Sequence, residues 1–212
     1  MVPVYKTDLW CDRGHFNEDQ ADKYAEICRA LLPRYAVEVG FCTGRSAACV
    51  LHNTRGCLKR MISVDKNLDW KAPEGRRMAA WLASRFAEFK VVEASSRQVL
   101  TAEFIRSIFP SGIDLATVDG DHSYEECTLD MESIAPFLSR RGVMIVDDYR
   151  SGPPNGVRID SVTSSVDDFI ARHRRDLCSE SWNSAGKGFC LIRRQTSGGI
   201  SKGCDECLMP DG

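Results

Sequence analysis

Two short acidic runs carry the pattern with the clearest chemical meaning in this sequence. Residues 119–124 read Asp-Gly-Asp-His-Ser-Tyr, and residues 147–149 read Asp-Asp-Tyr. Each run follows a predicted strand, and the carboxyl ends of parallel strands meet at one edge of a sheet. Three carboxylates in one cleft repel one another unless a cation neutralises them, and Asp oxygens with water suit Mg²⁺ or Ca²⁺. We therefore predict Mg²⁺ or another divalent cation at Asp119, Asp147 and Asp148.

A glycine-bearing turn nearer the start of the chain indicates a second kind of site. Residues 37–44 read Val-Glu-Val-Gly-Phe-Cys-Thr-Gly, so Glu38 lies near the end of an apolar strand and Gly40 and Gly44 lie in the turn. Glycines allow a ligand to approach the backbone closely. Asp65 ends the next predicted strand, where a carboxylate can accept hydrogen bonds from ribose hydroxyls. Together these features predict a nucleoside site.

Alternating strands and helices supply the framework that must position these motifs. A helix begins after Asn17, which forms a capping box with Gln20, and Pro33 ends it. Strands are then predicted at 35–39, 61–64, 89–92, 113–118 and 142–146, and helices at 46–51, 78–86, 98–109, after Ser123 and at 162–170. Helices between strands imply a parallel sheet, and the strands at 177–182 and 189–192 are close enough to form an antiparallel hairpin. The predicted fold class is α/β, with a doubly wound, mostly parallel sheet of seven strands.

These motifs, in this order, resemble those of class I S-adenosylmethionine-dependent methyltransferases. The first motif of that family runs acid, any residue, glycine and further small residues, as 38–44 does, and the element order matches over about residues 17–192. The two acidic runs are similar to those of metal-dependent O-methyltransferases, and 119–125 is similar to small methyltransferases related to cephalosporin-hydroxylase-like proteins. The resemblance implies a Rossmann-like fold, S-adenosylmethionine as the cofactor, and the hydroxyl of a small sugar, catechol or natural product as the methyl acceptor.

The resemblance also implies which residues hold the cofactor. Gly40 and Gly44 would pass close to its methionine part, Glu38 would support that end, and Asp65 would hold the ribose. The chain departs from the family pattern at Cys42, where many members have glycine. It also departs at Ser95, where many members have an acid. The full set of residues expected at the cofactor is Glu38, Gly40, Gly44, Asp65, Ser95, Ser96 and Asp119.

Methyl transfer to a hydroxyl also needs a group that removes the proton, and the sequence offers two. In sugar-type relatives the second Asp of the Asp-Gly-Asp triplet is the base, which is Asp121 here. In the catechol type the base lies three residues after the metal-binding Asp, which is His122 here. An imidazole with a pKa near ~6.5 suits proton transfer at neutral pH, and this ranks His122 first. The side chains considered for the acceptor pocket are His15, Phe16, Tyr149 and Trp182.

Two other functions share part of this pattern. A nicotinamide-dependent oxidoreductase also uses a glycine turn and an acid after the second strand, but its fingerprint is G-x-G-x-x-G and Cys42 stands between Gly40 and Gly44. A catalytically inactive S-adenosylmethionine-binding module is the other alternative. The presence of base and metal residues argues against it.

Composition limits the remaining possibilities. The 212 residues, 43% of them hydrophobic, are enough for one domain, which we expect at 1–194 with a flexible tail at 195–212. The formal net charge of -2 gives no broad basic face, so we expect a small-molecule partner and no nucleic acid. No apolar run approaches the roughly 20 residues of a membrane span, and residues 1–8 do not have the apolar stretch that is typical of a signal peptide. We expect no membrane partner and a cytoplasmic location, and the family resemblance is compatible with a homodimer.

Ten cysteines are present, and most lie in apolar helix or strand patterns. Free cysteine in such a pattern behaves as a small hydrophobe, which favours a reducing compartment. A zinc site built from Cys11, His15, Cys204 and Cys207 is a minor alternative for the remaining cysteines, because a single C-x-x-C without a partner motif is a weak pattern.

Overall fold

A computed structural model of the chain describes residues 16–69 and 74–195. Within these ranges, helices α1 to α7 span Glu18–Leu31, Arg45–Asn53, Glu74–Arg85, Ser96–Val99, Ala102–Ile108, Tyr124–Ile134 and Asp160–His173. Strands β1 to β7 span Tyr35–Val39, Arg60–Asp65, Phe89–Glu93, Ile113–Val118, Leu138–Asp147, Leu177–Ser184 and Lys187–Arg194. Residues 135–137 add a short 3₁₀ turn between α6 and β5.

The strands form one seven-stranded sheet in the order β3-β2-β1-β4-β5-β7-β6. Strands β1 to β5 pair in parallel, whereas β7 runs antiparallel to both β5 and β6. This confirms the predicted doubly wound, mostly parallel sheet with a C-terminal antiparallel hairpin. The direction of winding reverses between the neighbours β1 and β4, and such a switch point opens a crevice at the carboxyl edge of a sheet.

The central strands β1, β2 and β4 are buried on both faces, and successive residues pack into opposite halves of the core. In β1, Ala36 packs with the residues of α1 and α2, whereas Val37 and Val39 pack with those of α5 and α6. This alternation follows from the two-residue period of a strand. It explains why these central strands are mostly apolar along their whole length, as is usual for parallel strands covered by helices on both faces.

The helix ends follow the predicted capping patterns, with one correction. The Asn17 side chain accepts a hydrogen bond from the Gln20 amide at 2.9 Å, and the Gln20 side chain accepts one from the Asn17 amide at 3.1 Å. The single helix predicted at 98–109 is wrong, because the chain forms α4 and α5 there. Thr101 accepts a hydrogen bond from the Phe104 amide at 3.2 Å and so begins a new helix.

Some predictions concern residues outside the described ranges. His15 and the cysteines of the alternative zinc site, Cys11, Cys204 and Cys207, are among them, as is almost all of the predicted tail. The seven cysteines that are described are free thiols. Across 16–69 and 74–195, no helix combines the length and the apolar character that a membrane crossing needs.

Candidate active site

A cleft of about 530 Å³ opens at the carboxyl edge of the sheet, over the switch point between β1 and β4. Its volume lies in the range of roughly 300–1,000 Å³ that is usual for small-molecule sites. The loops after the first five strands all contribute to its wall. Of the residues expected at the cofactor, the proton acceptor or the metal, those that line the cleft are Gly40, Asp65, Ser95, Ser96, Asp119, Asp121, His122, Asp147 and Asp148.

Gly40 allows the loops after β1 and β4 to touch. It has a φ of +88°, and a Cβ at this position would lie 1.9 Å from the carbonyl oxygen of Asp119. Only glycine tolerates both the conformation and the contact. Gly44 has a different role, because it begins α2 and its missing Cβ leaves room for the ring of Phe41 and the side chain of Met78. Gly44 therefore shapes the loop by its packing against Phe41 and Met78, and it does not line the cleft.

Asp65 braces the loop after β1. Its Oδ2 accepts hydrogen bonds from the amides of Phe41 and Cys42, each at 2.9 Å, and its Oδ1 accepts one from the Asn67 amide at 2.8 Å. Cys42 has a φ of +48°, a left-handed conformation that favours glycine. This explains why many relatives have glycine at the position, and the bonds to Asp65 keep the turn in place with cysteine there.

Glu38 is fully buried and contacts the cleft through a neighbour. Its two carboxyl oxygens accept hydrogen bonds from the hydroxyls of Ser46 and Ser63, both at 2.5 Å. Burial raises the pKa of Glu38 to about 7, although the two serine hydroxyls act in the opposite direction. Ser46 itself lines the cleft. The sequence predicted that Glu38 supports one end of the cofactor, and Ser46 is the residue through which it would do so.

Asp130 is a cleft residue that the sequence analysis missed. It lies on α6 beside Ser95 and Ser96, and burial raises its pKa to about 6 while the Ser96 hydroxyl lowers it. The sequence did contain a signal. Asp130 comes three residues after Cys127 and four before Ile134, so it occupies the apolar face of its helix, where a carboxylate is unusual unless it has a partner.

The predicted acidic cluster forms at the ends of β4 and β5, with His122 inside it. The Nε2 atom of His122 lies 3.3 Å from Oδ1 of Asp119 and 3.7 Å from Oδ2 of Asp148. Among the described residues, these three side chains form the group whose donor atoms lie close enough to hold a metal, all within 4.8 Å of one another. Asp147 also lines the cleft, but its Oδ1 accepts a hydrogen bond from Nε2 of Gln20 at 2.9 Å.

The pKa values of Asp119, Asp147 and His122 depend on burial and on the charges around them. Burial, followed by the charges of Asp119 and Asp148, raises the pKa of Asp147 well above its ordinary value. Burial also raises the pKa of Asp119, and the hydrogen bond from His122 opposes this change. In return, the bond to Asp119 raises the pKa of His122 above 6.5. The structure thus places two of the three predicted metal residues with His122 and holds the third, Asp147, beside them.

Lys187 is a second residue that the sequence analysis missed. It begins β7, its side chain is only 6% exposed, and its Nζ lies 3.4 Å from Oδ1 of Asp148. From the sequence, a lysine between Gly186 and Gly188 in a hairpin would be predicted to be an exposed turn residue. The pairing of β7 with β5 brings Lys187 to the cluster, and the sequence around Lys187 does not predict that pairing.

Asp121 forms an ion pair with Lys66 rather than with the residues of the acidic cluster. Its Oδ2 lies 2.6 Å from Nζ of Lys66, and its Oδ1 accepts a hydrogen bond from the Ser123 amide at 2.9 Å. The bond from Lys66, with that from the Ser123 amide, lowers the pKa of Asp121 to about 2. A carboxylate held in this way is a weak proton acceptor at neutral pH.

Of the three described side chains considered for the acceptor pocket, Phe16 lines the cleft, whereas Tyr149 and Trp182 do not. Phe16 lines the cleft, and its carbonyl oxygen accepts a hydrogen bond from Arg45 at 2.9 Å. Tyr149 is buried elsewhere and donates its hydroxyl hydrogen bond to Asp167 at 2.7 Å. The ring of Trp182 stacks on Phe189 at 4.6 Å between centroids. These two aromatic side chains are packing residues in this structure.

Comparison with known proteins agrees with this geometry. Residues 37–149 match the model of a family described as a methyltransferase domain. An O-methyltransferase from Bacillus cereus, solved in complex with SAH, superposes with a TM-score of 0.67 at 14% identity, over 84% of this chain and 82% of that one. TomG, an O-methyltransferase of Streptomyces achromogenes involved in tomaymycin synthesis and solved with SAM, gives 0.66 at 14% identity, over 85% and 81%.

Among curated proteins, an uncharacterised protein of Acanthamoeba polyphaga mimivirus is 23% identical over 120 residues, which are 54% of this chain and 51% of that protein. The match thus spans about half the length of that relative. The match to the domain model covers more than half of the present chain. The chain belongs to the methyltransferase-domain family, and it has the fold of class I S-adenosylmethionine-dependent methyltransferases. This confirms the resemblance found in the sequence.

Proposed function

We propose that this protein transfers the methyl group of S-adenosylmethionine to a hydroxyl of a small molecule. One observation carries the proposal. The cluster of Asp119, His122 and Asp148 lines the same cleft as Gly40 and Asp65, so a histidine that can accept a proton lies beside the residues expected to bind the cofactor. The O-methyltransferases with the same fold, from Bacillus cereus and Streptomyces achromogenes, support the choice of oxygen as the acceptor atom.

The residues of the cleft fit the cofactor. A carboxylate has about four acceptor positions, and backbone amides use three of those on Asp65. The fourth, on Oδ1, is left for a ribose hydroxyl. Gly40 and the turn after it would lie along the methionine part, and Ser95 and Ser96 would contact the adenine. When bound, S-adenosylmethionine supplies a methyl group that its sulfonium has already activated.

His122 is the residue that would take the proton of the acceptor. Its Nε2 donates a hydrogen bond to Asp119 and lies near Asp148, so Nδ1 is the nitrogen left to accept the proton, and both carboxylates stabilise the imidazolium that then forms. Asp121 is the weaker choice, because its ion pair with Lys66 already satisfies the carboxylate. Ser161 fixes His122 from the other side by donating a hydrogen bond to its carbonyl oxygen at 2.6 Å. This bond holds the backbone of the loop that carries the imidazole.

A divalent cation fits the same edge of the cleft. Asp119, Asp147 and Asp148 would hold it, because all three line the cleft and the charges of Asp119 and Asp148 raise the pKa of Asp147. Their oxygens suit Mg²⁺, whereas the inclusion of His122 as a ligand would favour a transition metal. A cation beside the acceptor hydroxyl lowers its pKa and fixes its position. This assignment leaves His122 free for the proton.

The proposed reaction predicts transfer of labelled methyl groups to free hydroxyls. The purified protein, given methyl-labelled S-adenosylmethionine and a panel of catechols, sugars and polyketide-like alcohols, is expected to label a compound with a free hydroxyl. The same compound with that hydroxyl already methylated is the matched control and should stay unlabelled. Label found only on amine acceptors would contradict O-methylation and leave a methyltransferase of another class.

Cation assistance is tested in the same assay. A chelator should lower the rate by on the order of tenfold or more, because a bound cation contributes several kcal/mol to stabilising the charge that develops on oxygen. Addition of Mg²⁺ should restore the rate. A rate that does not change with the chelator would show that the acceptor reacts without the cation, and the O-transfer itself would still stand.

A further inference from the structure

Lys187 is a charged side chain in a place where charge is costly. The residue as a whole is 5% exposed and its partner Asp148 is 8% exposed. Lysine is almost never buried without a partner, because an unpaired buried charge is strongly destabilising. The ammonium group lies 3.4 Å from Oδ1 of Asp148 and lines the cleft beside the acidic cluster.

The backbone around Lys187 is held in place by its neighbours. The Gly188 amide donates a hydrogen bond to the Ser151 hydroxyl at 2.9 Å, and that hydroxyl donates one to the Gly188 carbonyl at 3.3 Å. Two residues after Lys187, Phe189 pairs with Asp147 in the β5–β7 ladder. A Cβ on Gly188 would lie 2.4 Å from the carbonyl oxygen of Tyr149, so the start of β7 lies directly against the loop that carries Asp148.

The ammonium group of Lys187 adds a positive charge to the acidic cluster. Three carboxylates, Asp119, Asp147 and Asp148, meet at this edge, which is why the sequence predicted a divalent cation there. Lys187 already contributes one positive charge. A metal ion bound to Asp148 would lie within a few ångströms of this ammonium group. Because Lys187 and Asp148 are buried, water and salt screen the repulsion between the two positive charges only in part.

We propose that Lys187 is a built-in counter-ion of the acidic cluster, which weakens the affinity of the cluster for a divalent cation and supplies part of the charge that such a cation would bring. The inference rests on the proposed function in one respect, namely that these three carboxylates form its cation site. The weaker affinity would make the bound cation exchangeable rather than permanently held. Through its ion pair, Lys187 also acts as a positioning residue for Asp148.

The experiment measures binding of Mn²⁺ alone to the full-length protein, with free Mn²⁺ followed by electron paramagnetic resonance. Lys187→Met removes the charge at nearly constant volume, and Lys187→Gln removes the charge while keeping a hydrogen-bond donor for Asp148. Lys66→Met is the matched control, because it removes a lysine from the same cleft that pairs with Asp121 instead. Thermal unfolding of each variant without metal establishes which of them fold.

Both Lys187 variants should bind Mn²⁺ more tightly than the wild type, by on the order of tenfold or more, whereas Lys66→Met should change the affinity less than about threefold. Equal affinity in wild type and both Lys187 variants would overturn the inference while leaving the cation site in place. Failure of all of them to bind would overturn the inference together with cation assistance. Binding by the Lys187 variants alone would support the inference and contradict cation assistance in the natural protein.

Discussion

Gly40→Ala is expected to reduce the affinity for S-adenosylhomocysteine by on the order of a hundredfold and to destabilise the fold. The new Cβ would lie 1.9 Å from the Asp119 carbonyl oxygen, 2.5 Å from its carbon and 2.9 Å from the Gly120 nitrogen. All three are backbone atoms, so no side chain can rotate away and the loops after β1 and β4 must separate. Conformational strain at positive φ and overpacking together cost about 2–5 kcal/mol. Titration calorimetry and thermal unfolding measure the two effects.

Gly56→Ala is the matched control for this prediction. Gly56 has nearly the same backbone conformation, with a φ of +90°, but a Cβ there would meet nothing within 4 Å. The control isolates the conformational strain, about 1–2 kcal/mol, and should leave the affinity for S-adenosylhomocysteine unchanged. Equal behaviour of the two variants would mean that the contact between the two loops does not shape the cofactor site.

His122→Ala is expected to lower kcat by on the order of 10²–10⁴-fold, which is the usual contribution of a positioned general base. Cofactor affinity should stay within a few-fold, because the turn after β1, Asp65 and the serines after β3 are untouched. The measurement is methyl transfer to the acceptor found in the labelling assay, together with a titration of S-adenosylhomocysteine.

His173→Ala tests whether the effect belongs to the cleft rather than to the loss of any paired histidine. His173 also pairs with a carboxylate, at 3.0 Å from Glu132, and packs against Phe169 outside the cleft. Its replacement should leave kcat within about twofold of the wild type. Asp121→Asn decides between the two candidate bases. Activity that survives in His122→Ala but disappears in Asp121→Asn would assign the proton to Asp121.

The framework and the meeting of the acidic runs could be predicted from the sequence, because both follow from local rules. Apolar runs of strand length set β1 and β4 at their observed bounds. The carboxyl ends of parallel strands share an edge, so Asp119, Asp147 and Asp148 had to come together once the sheet was inferred. The meeting of these three side chains could thus be predicted from the strand order alone, without information on individual contacts.

The contacts that tune the site are long-range and have no local signature. Gln20 was recognised as half of a capping box, yet its Nε2 also holds Asp147, 127 positions further along the chain. Lys187 reaches Asp148 only because β7 pairs antiparallel with β5. The sequence analysis balanced the three carboxylates with a cation alone, whereas the structure also places the ammonium group of Lys187 beside Asp148. Such pairs depend on which strand lies next to which.

The roles of Glu38 and Gly44 illustrate a second limit of sequence reasoning. The motif places Glu38 near the end of β1 and Gly44 in the turn that follows, but it does not distinguish a residue that touches a ligand from one that shapes the wall around it. Glu38 holds Ser46 and Ser63, and Gly44 makes room for Phe41. A motif fixes the position of a residue in the fold, whereas the direction of its side chain is decided by packing.

The most direct test of the account is thermal unfolding of the purified protein with S-adenosylhomocysteine, with NAD as the control ligand. A ligand of the native state at about 100 times its Kd contributes roughly 2.7 kcal/mol, which for a chain of this size raises the unfolding midpoint by about 5–10 °C. We expect this rise with S-adenosylhomocysteine and none with NAD. A rise with NAD alone, or with neither ligand, would contradict the assignment of this cleft to S-adenosylmethionine.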